Sequence, residues 1–494
     1  MRRYRAIGGI ALGVLATLLL AAPAKAGDAP GGDPEFVAHV NRAWVLLMGI
    51  MTLLLTAGHL LLGLAGAPRE ARGRAAGLVV GGTLVAAWGY FATGFAFQYG
   101  GIGSIPVLGG GQSLWAEWFP LHRFWGEGWG LIGYTGFLLW GLAEPPVLTF
   151  FFFQLTLLLA TVSIPLATLA AWAAPHPSPR REGQGGSHVR NVAALILALA
   201  WAGFAFPLFG NWAWGRGWLS QTGHTLGAGH GYVDFAGSGV VFLAGALAAL
   251  AVLVTLGTRP AEEARLDDET LLAAGGLLTL VGGLTLTLGN FLGLTDERMA
   301  LTVANVLGAA LSGGAASFVY MGFVARRLDV PLGVRGLLAG LAASAAGGPF
   351  VSPAAAVVIG LVAGVLACLG THLLDRVLRL PDRTGLVAAY GLGGLWGLLA
   401  VGLLADGTYG AGWNGVGLSA YLGTTGQGVT GYLPAGGLVG DPGQINAQVA
   451  GIVAAVAVAF VLSLLLARTL NRLGWLLSRP DMPSADERST TTDH

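Results

Sequence analysis

Eleven apolar segments run through this sequence, and each has the composition of a helix that crosses a lipid bilayer. A membrane-spanning helix needs about 20 mostly apolar residues, because the hydrocarbon core is about 30 Å thick. The segments lie at 43–66, 75–97, 146–172, 190–209, 234–257, 271–294, 299–325, 333–348, 353–378, 384–404 and 445–470. We interpret the Gly-rich stretch 128–142 as part of a long external loop. The pattern predicts an all-α polytopic membrane protein with eleven transmembrane helices.

Composition excludes several classes of protein. The chain is 54% hydrophobic and 10% charged, whereas a soluble domain carries about 25% charged residues. Its 82 glycines allow helices to approach each other closely in lipid. A net charge of +1 offers no basic surface to nucleic acid, and the sequence has no nucleotide-binding or zinc-ligand motif. We therefore expect a protein of the bilayer that is not an enzyme, uses no cofactor or metal and binds no nucleic acid.

The two ends of the chain differ from the membrane segments. Residues 1–26 have the features of a signal peptide: three arginines, an apolar run and a small-x-small cleavage pattern at Ala24–Ala26. The alternative interpretation is an additional membrane helix. Residues 27–478 then form the membrane domain, and the polar residues 479–494 form a flexible tail.

The distribution of arginines predicts the orientation in a cell membrane. Arginines cluster after the first, third, fifth, seventh, ninth and eleventh segments, and the exceptions are Arg123, Arg216 and Arg298. Because arginines accumulate in cytoplasmic loops, the mature N-terminus is expected outside and the C-terminus inside. The tail then has room for a cytoplasmic regulatory protein.

One pattern occurs in both halves of the chain. Asp234 precedes an apolar helix and Phe242 follows it by eight residues; Asp382 and Tyr390 have the same spacing. Eight helical residues rise about 12 Å, so each aspartate is expected at a helix start and each aromatic ring near the bilayer midplane. Inverted repeats with sites at the midplane are typical of transporters. The pattern predicts a five-plus-five repeat around a central path, with Tyr390 facing that path.

The two aspartates each allow two interpretations. Asp234 either caps its helix, where its carboxylate accepts hydrogen bonds from free amides, or contacts a substrate directly. Asp382 has the same two interpretations, but it lies in an arginine-rich stretch. For Asp382 we therefore expect a structural role, paired with Arg379 or Arg383.

The residues around Asp234 resemble the ammonium transporter (Amt/Mep/Rh) family. Asp234–Val241 is similar to the signature of the family's fifth helix, and Trp212–Leu219 is similar to the Trp-Gly-x-Gly segment before it. Weaker similarities to later helices lie at Leu338–Leu341, Pro353–Ala363, Leu373–Arg383, Gly385–Gly394 and Gly443–Gln448. The resemblance covers nearly the whole mature chain.

The resemblance implies a homotrimer in which each eleven-helix protomer has its own hydrophobic pore for ammonium or ammonia. The family holds two hydrogen-bonded histidines in the middle of the pore. Here these two positions fall on Phe242 and Tyr390. The resemblance therefore predicts the pore frame without the paired histidines.

The resemblance also implies an outer site and a gate. Trp214 matches the residue that recruits the cation over its ring, an interaction worth roughly 1–2 kcal/mol; alternatively, it anchors the membrane interface. The gate falls in an aromatic-rich stretch that includes Phe153, with Leu157 at one gate position. The other gate position and a recruiting serine fall near Thr287 and Phe291.

Three histidines outside these positions are further candidates. His59 lies inside the first segment, where it is either a functional site or a hydrogen-bond partner of a neighbouring helix. His224 and His230 lie in a Gly-rich external loop and either line a vestibule or are solvated. We expect the hydrogen-bonding role for His59 and solvated side chains for His224 and His230.

The sequence favours a transmembrane transporter or channel for ammonium or ammonia. One alternative is a non-conducting ammonium receptor with the same fold. Another is a channel for a different small neutral solute. Because Phe242 has no exchangeable proton, we expect any passage of ammonia to be electroneutral, or the pore to be closed by the two rings.

Overall fold

The computed structural model describes residues 33–120, 128–172, 185–258 and 268–474. The expected signal peptide and the tail 479–494 lie outside the described residues. Ten described helices have the length and apolar composition to cross a membrane, and one shorter apolar helix accompanies them. They are α1 (Pro34–Gly66), α2 (Arg69–Tyr99), α3 (Pro145–Ala171), α4 (Asn191–Trp214), α5 (Ser238–Leu256), α6 (Glu269–Gly289), α7 (Met299–Val324), α8 (Val330–Ala345, the shorter one), α9 (Pro353–Val377), α10 (Leu386–Leu404) and α11 (Gly443–Arg472).

Each of the eleven predicted segments overlaps one of these helices, so the predicted fold class is confirmed. The largest difference is at α1, which begins at Pro34 and not near residue 43. Asp33 caps this helix by accepting a hydrogen bond from the Glu35 amide (3.1 Å). Polar residues in the first turns lower the hydropathy there, which is why the sequence did not indicate the start. Asn41 and Arg42 donate to the carbonyls of Val107 and Leu108 in the loop between α2 and α3.

The strands in the described loops are short. Between α2 and α3, β1 (Gly103–Ile105) pairs with β2 (Gly110–Leu114), and β3 (Glu117–Trp118) pairs with β4 (Ile132–Gly133). Between α10 and α11, β5 (Ala420–Tyr421) pairs with β6 (Thr424–Thr425). All three pairs are antiparallel. The described stretch 128–142 contains no membrane-spanning helix, as predicted.

Helices α1 and α6, the first helices of the two halves, cross at glycines. A Cβ atom at Gly58 would lie 2.2 Å from Thr279 Oγ1, and one at Gly282 would lie 2.2 Å from the Leu55 amide nitrogen. Neither contact is possible for a larger residue, so the glycines set the distance between the two helices. This close approach is the packing that small residues permit in lipid.

Each of the repeated aspartates caps the helix that follows it, α5 or α10. Asp234 Oδ2 accepts from the amides of Gly239 (3.0 Å) and Val240 (2.8 Å). Asp382 accepts from the amides of Gly385 (3.0 Å) and Ala388 (3.0 Å). The third residue after each aspartate is a glycine with positive φ, 88° at Gly237 and 74° at Gly385. A residue with a Cβ would be strained there, so both halves use one backbone turn to start the helix.

Candidate functional site

Phe242 and Tyr390 meet in the interior, where α5 and α10 cross. Their ring centroids are 4.8 Å apart, and both side chains are fully buried. The crossing is close because α10 has a glycine there: a Cβ at Gly394 would lie 2.4 Å from the Ser238 carbonyl oxygen. The structure thus brings together the two aromatic residues of the repeat.

A third residue, His59 of α1, contacts the same place. Its Nε2 atom lies 2.9 Å from the Tyr390 hydroxyl oxygen, and the two rings are 5.5 Å apart in an edge-to-face arrangement. Its Nδ1 atom lies 2.7 Å from Ser163 Oγ of α3. His59 is fully buried. We call His59, Phe242 and Tyr390 the central cluster.

The expectation that His59 hydrogen-bonds a neighbouring helix is confirmed, but one partner is Tyr390 itself. The two residues are 331 positions apart in the chain. No motif joins them, so the pair could not be identified from the sequence. The only signal was a histidine inside an apolar segment.

Trp214 and Asp234 line one cavity of about 430 Å³, which we call the Trp214 cavity. The indole Nε1 of Trp214 donates to the backbone carbonyl of Asp234 (2.7 Å). The cavity is lined by Ala213, Trp214, Arg216, Ser220, Gln221, His224, Tyr232, Asp234, Trp413, Asn414 and Gly415. Trp214, which the family resemblance assigns to the outer site, and the candidate Asp234 are therefore neighbours.

The carboxylate of Asp234 is buried although it borders this cavity. Its Oδ2 atom caps α5 and lies 3.4 Å from the Tyr232 hydroxyl. Its Oδ1 atom has no hydrogen-bond partner among the described residues. A cap and a contact with a cation are therefore compatible at this residue, because they use different oxygens.

An aromatic layer adjoins the Trp214 cavity, and it consists of Phe235, Phe291, Phe350 and Trp413. The ring of Phe235 lies 4.7 Å from that of Phe291 and 6.2 Å from that of Phe350. Trp413, which borders the cavity, lies 5.1 Å from Phe350. Sequence reasoning placed Phe291 near a gate position but missed Phe235, although it directly follows Asp234.

The gate candidates of α3 are both fully buried. Phe153 packs against α6, where a Cβ at Gly289 would lie 2.2 Å from its ring. The carbonyl of Leu157 accepts from the Thr161 hydroxyl (2.8 Å). The gate role of these two residues stays a prediction.

Asp382 caps its helix, and its expected ion pair with Arg379 or Arg383 stays a prediction. The Asp382 carboxylate accepts from the Thr384 hydroxyl and from backbone amides. The arginine that reaches this turn is Arg335 of α8, which donates to the Asp382 backbone carbonyl (2.9 Å). Arg383 donates to the carbonyl of Ala171 (3.0 Å). A buried cap needs the carboxylate for amides, so the arginine takes the carbonyl.

The two loop histidines have different environments. His224 is exposed and borders the Trp214 cavity. The expectation of a solvated side chain is wrong for His230, which is fully buried with its ring 4.3 Å from that of Tyr421. Burial lowers the pKa of His230 to about 4, so this residue adds no positive charge near the cavity at neutral pH.

These features define a polytopic α-helical membrane protein with two similarly capped halves and a buried central cluster. The sequence profile of the Ammonium Transporter Family matches residues 184–483. The chain belongs to the ammonium transporter family.

Relatives and solved structures agree with this assignment. Ammonium transporter Amt2 of Archaeoglobus fulgidus is 28% identical over 423 residues, which are 82% of this chain and 80% of the relative. Amt1 of the same organism is 32% identical over 56% of this chain and 63% of its own length. The fold is similar to that of a sensor Amt protein (TM-score 0.68, 22% identity, 90% of this chain and 95% of that one). It is also similar to Candida albicans Mep2 (TM-score 0.67, 18% identity, 91% and 88%).

Proposed function

We propose that the protein moves ammonium or ammonia across a cell membrane. The observation that carries this proposal is the order of features from the Trp214 cavity to the central cluster. A cavity bordered by an indole and a carboxylate adjoins an aromatic layer, and a hydrogen-bonded imidazole and phenol lie in the interior. Relatives in the family are named ammonium transporters, and this order of features suits ammonium transport.

The mechanism follows from the cost of carrying charge through an apolar path. An ammonium ion with a pKa of about 9 loses its proton at pH 7 at a cost of roughly 3 kcal/mol. Carrying the full charge into hydrocarbon costs more than that. Passage of the neutral base is therefore favoured, and potassium is excluded because it has no proton to release.

Replacing Trp214 with alanine tests the outer part of this path. In proteoliposomes, an inward ammonium gradient is expected to change the internal pH, whereas an equal potassium gradient leaves it unchanged. The substitution is expected to lower the initial rate at low ammonium concentration about fivefold, because a cation–π contact is lost. The matched control is Trp88→Ala, since Trp88 is exposed on α2. Equal rates in both variants would contradict the recruiting role.

A non-conducting receptor is the second candidate, and the contact between Phe242 and Tyr390 favours it. Two fully buried rings with centroids 4.8 Å apart are compatible with a closed path. A receptor would show no ammonium-driven pH change but a rise in melting temperature with ammonium over potassium. A channel for another small neutral solute would instead pass that solute from a panel tested in the same vesicles.

We infer that the protein forms a homotrimer with a pore inside each protomer. Exposed apolar side chains cover the outer faces of several helices, among them Leu311, Val319, Phe323 and Val358, and small residues permit close contacts in lipid. Native mass spectrometry from detergent is expected to show three protomers. A stable monomer at all detergent concentrations would contradict this prediction.

We also propose an orientation for the two ends of the chain. Residues 1–26 are proposed as a cleaved leader, with the mature N-terminus outside and the tail 479–494 in the cytoplasm, available to a regulatory protein. The protomer mass tests the leader, since cleavage removes 26 residues. A full-length protomer from the native host would contradict it.

A further inference from the structure

Three helices place polar groups against one another in the buried interior. His59 of α1 lies between Ser163 of α3 and Tyr390 of α10, at 2.7 Å and 2.9 Å. All three residues are fully buried. Ionisable side chains inside a membrane are costly and usually mark a solute or proton path.

We infer that His59 and Tyr390 form a hydrogen-bonding site that holds the neutral solute in the interior of the protein. This inference rests on the proposed transport function. The ring of Phe242, 4.8 Å from that of Tyr390, forms an apolar wall of this site. The solute enters between the imidazole and the phenol and replaces their direct hydrogen bond.

The hydrogen bonds around His59 fix which of its nitrogens accepts. The Ser163 hydroxyl donates to the Ala160 carbonyl (2.7 Å), so its proton is already used. The Nδ1–H group of His59 then donates to Ser163 Oγ or to the Ala160 carbonyl. Nε2 is left as an acceptor, and the Tyr390 hydroxyl donates to it.

This arrangement matches the hydrogen bonding of ammonia. Ammonia has N–H groups that can donate to His59 Nε2 and a lone pair that can accept from the Tyr390 hydroxyl. Both protein groups stay satisfied when the solute replaces their mutual bond. A potassium ion has neither an N–H group for Nε2 nor a lone pair to accept from the Tyr390 hydroxyl, so the pair also selects against it.

The position of His59 is held by the packing of α1. Its neighbour Gly58 lies at the close crossing with α6, where a Cβ would clash with Thr279 Oγ1 at 2.2 Å. The imidazole is further held by its contacts with α3.

The first test compares Tyr390→Phe with Tyr90→Phe. Tyr90 of α2 is equally buried, and its hydroxyl donates to Gln98 Oε1 (2.8 Å), away from the central cluster. Tyr390→Phe is expected to lower the ammonium-driven pH change in proteoliposomes about tenfold, since one hydrogen bond to the solute is lost. His59→Phe should have the same effect, and His59→Gln should restore part of the rate. Unchanged rates in Tyr390→Phe and His59→Phe would overturn the inference.

The second test does not depend on transport. Infrared difference spectra of the reconstituted protein, ring-deuterated at tyrosine, are recorded while ammonium chloride replaces potassium chloride. A tyrosine band shift is expected in the unmodified protein and in Tyr90→Phe but not in Tyr390→Phe. If the unmodified protein shows no shift, the inference is overturned even when a variant fails to fold. A band shift without any pH change in vesicles would contradict the proposed transport but would still support a solute site at His59 and Tyr390.

Discussion

Replacing Asp234 with alanine is expected to reduce ammonium transport about 100-fold and to lower the yield of folded protein. The amides of Gly239 and Val240 lose their acceptor. Loss of a helix cap costs about 0.5–2 kcal/mol in general, and each buried amide left without a partner costs about 1–3 kcal/mol. Yield is measured by size-exclusion chromatography of a fluorescent fusion, and transport by the vesicle pH assay.

Two further variants separate the cap from a contact with the cation. Asp234→Asn keeps one acceptor oxygen for the cap but removes the charge. Recovered yield with a low rate at low ammonium concentration would show that the charge acts on the solute. The matched control is Asp382→Ala, which removes the equivalent cap of α10 and should lower the yield without affecting the Trp214 cavity. Full yield and full flux in Asp234→Ala would show that this residue is neither cap nor site.

The second prediction concerns the charge that moves during transport. The unmodified protein is expected to give no ammonium-evoked current on a solid-supported membrane. Phe242 has no exchangeable proton, so it interrupts any proton path that continues from Tyr390 along the 4.8 Å ring contact. Replacing Phe242 and Tyr390 together with histidine is expected to introduce a current, because two imidazoles at these positions can pass a proton between them.

The single variants are the controls for this prediction. Tyr390→His keeps Phe242, which still interrupts the path beyond the neighbouring His59, so less current than in the double variant is expected. Phe242→His leaves the phenol of Tyr390 in the path, so less current than in the double variant is expected there too. The stopped-flow pH assay, run in parallel, separates loss of flux from loss of charge movement. A robust current from the unmodified protein would contradict electroneutral passage and would identify water or His59 as the proton carrier.

Local features of the sequence were sufficient for the fold and for the two helix starts. Membrane helices satisfy their backbone within one segment, so hydropathy alone located all eleven. The cap of α5 needs only Asp234, a glycine three residues later and the amides that follow. These interactions lie within six residues of one another, which is why spacing predicted them.

The partners of buried side chains required the tertiary structure. Helices such as α5 and α10 are apolar on all sides, so no polar face indicates which side turns inward. The hydrogen bond from Arg335 to the Asp382 backbone carbonyl depends on the position of α8 among the packed helices. The contact of Phe235 with Phe291 and Phe350 likewise joins separate segments.

His59 shows this limit most clearly. The sequence determined that a histidine lies inside a membrane helix, and the resemblance determined that Tyr390 lies at a pore position. Only the rotation of α1, set by its glycine crossing with α6, brings the imidazole within 2.9 Å of the phenol. Rotation about a helix axis depends on the packing of all neighbouring helices. The sequence of a uniformly apolar segment does not indicate this rotation.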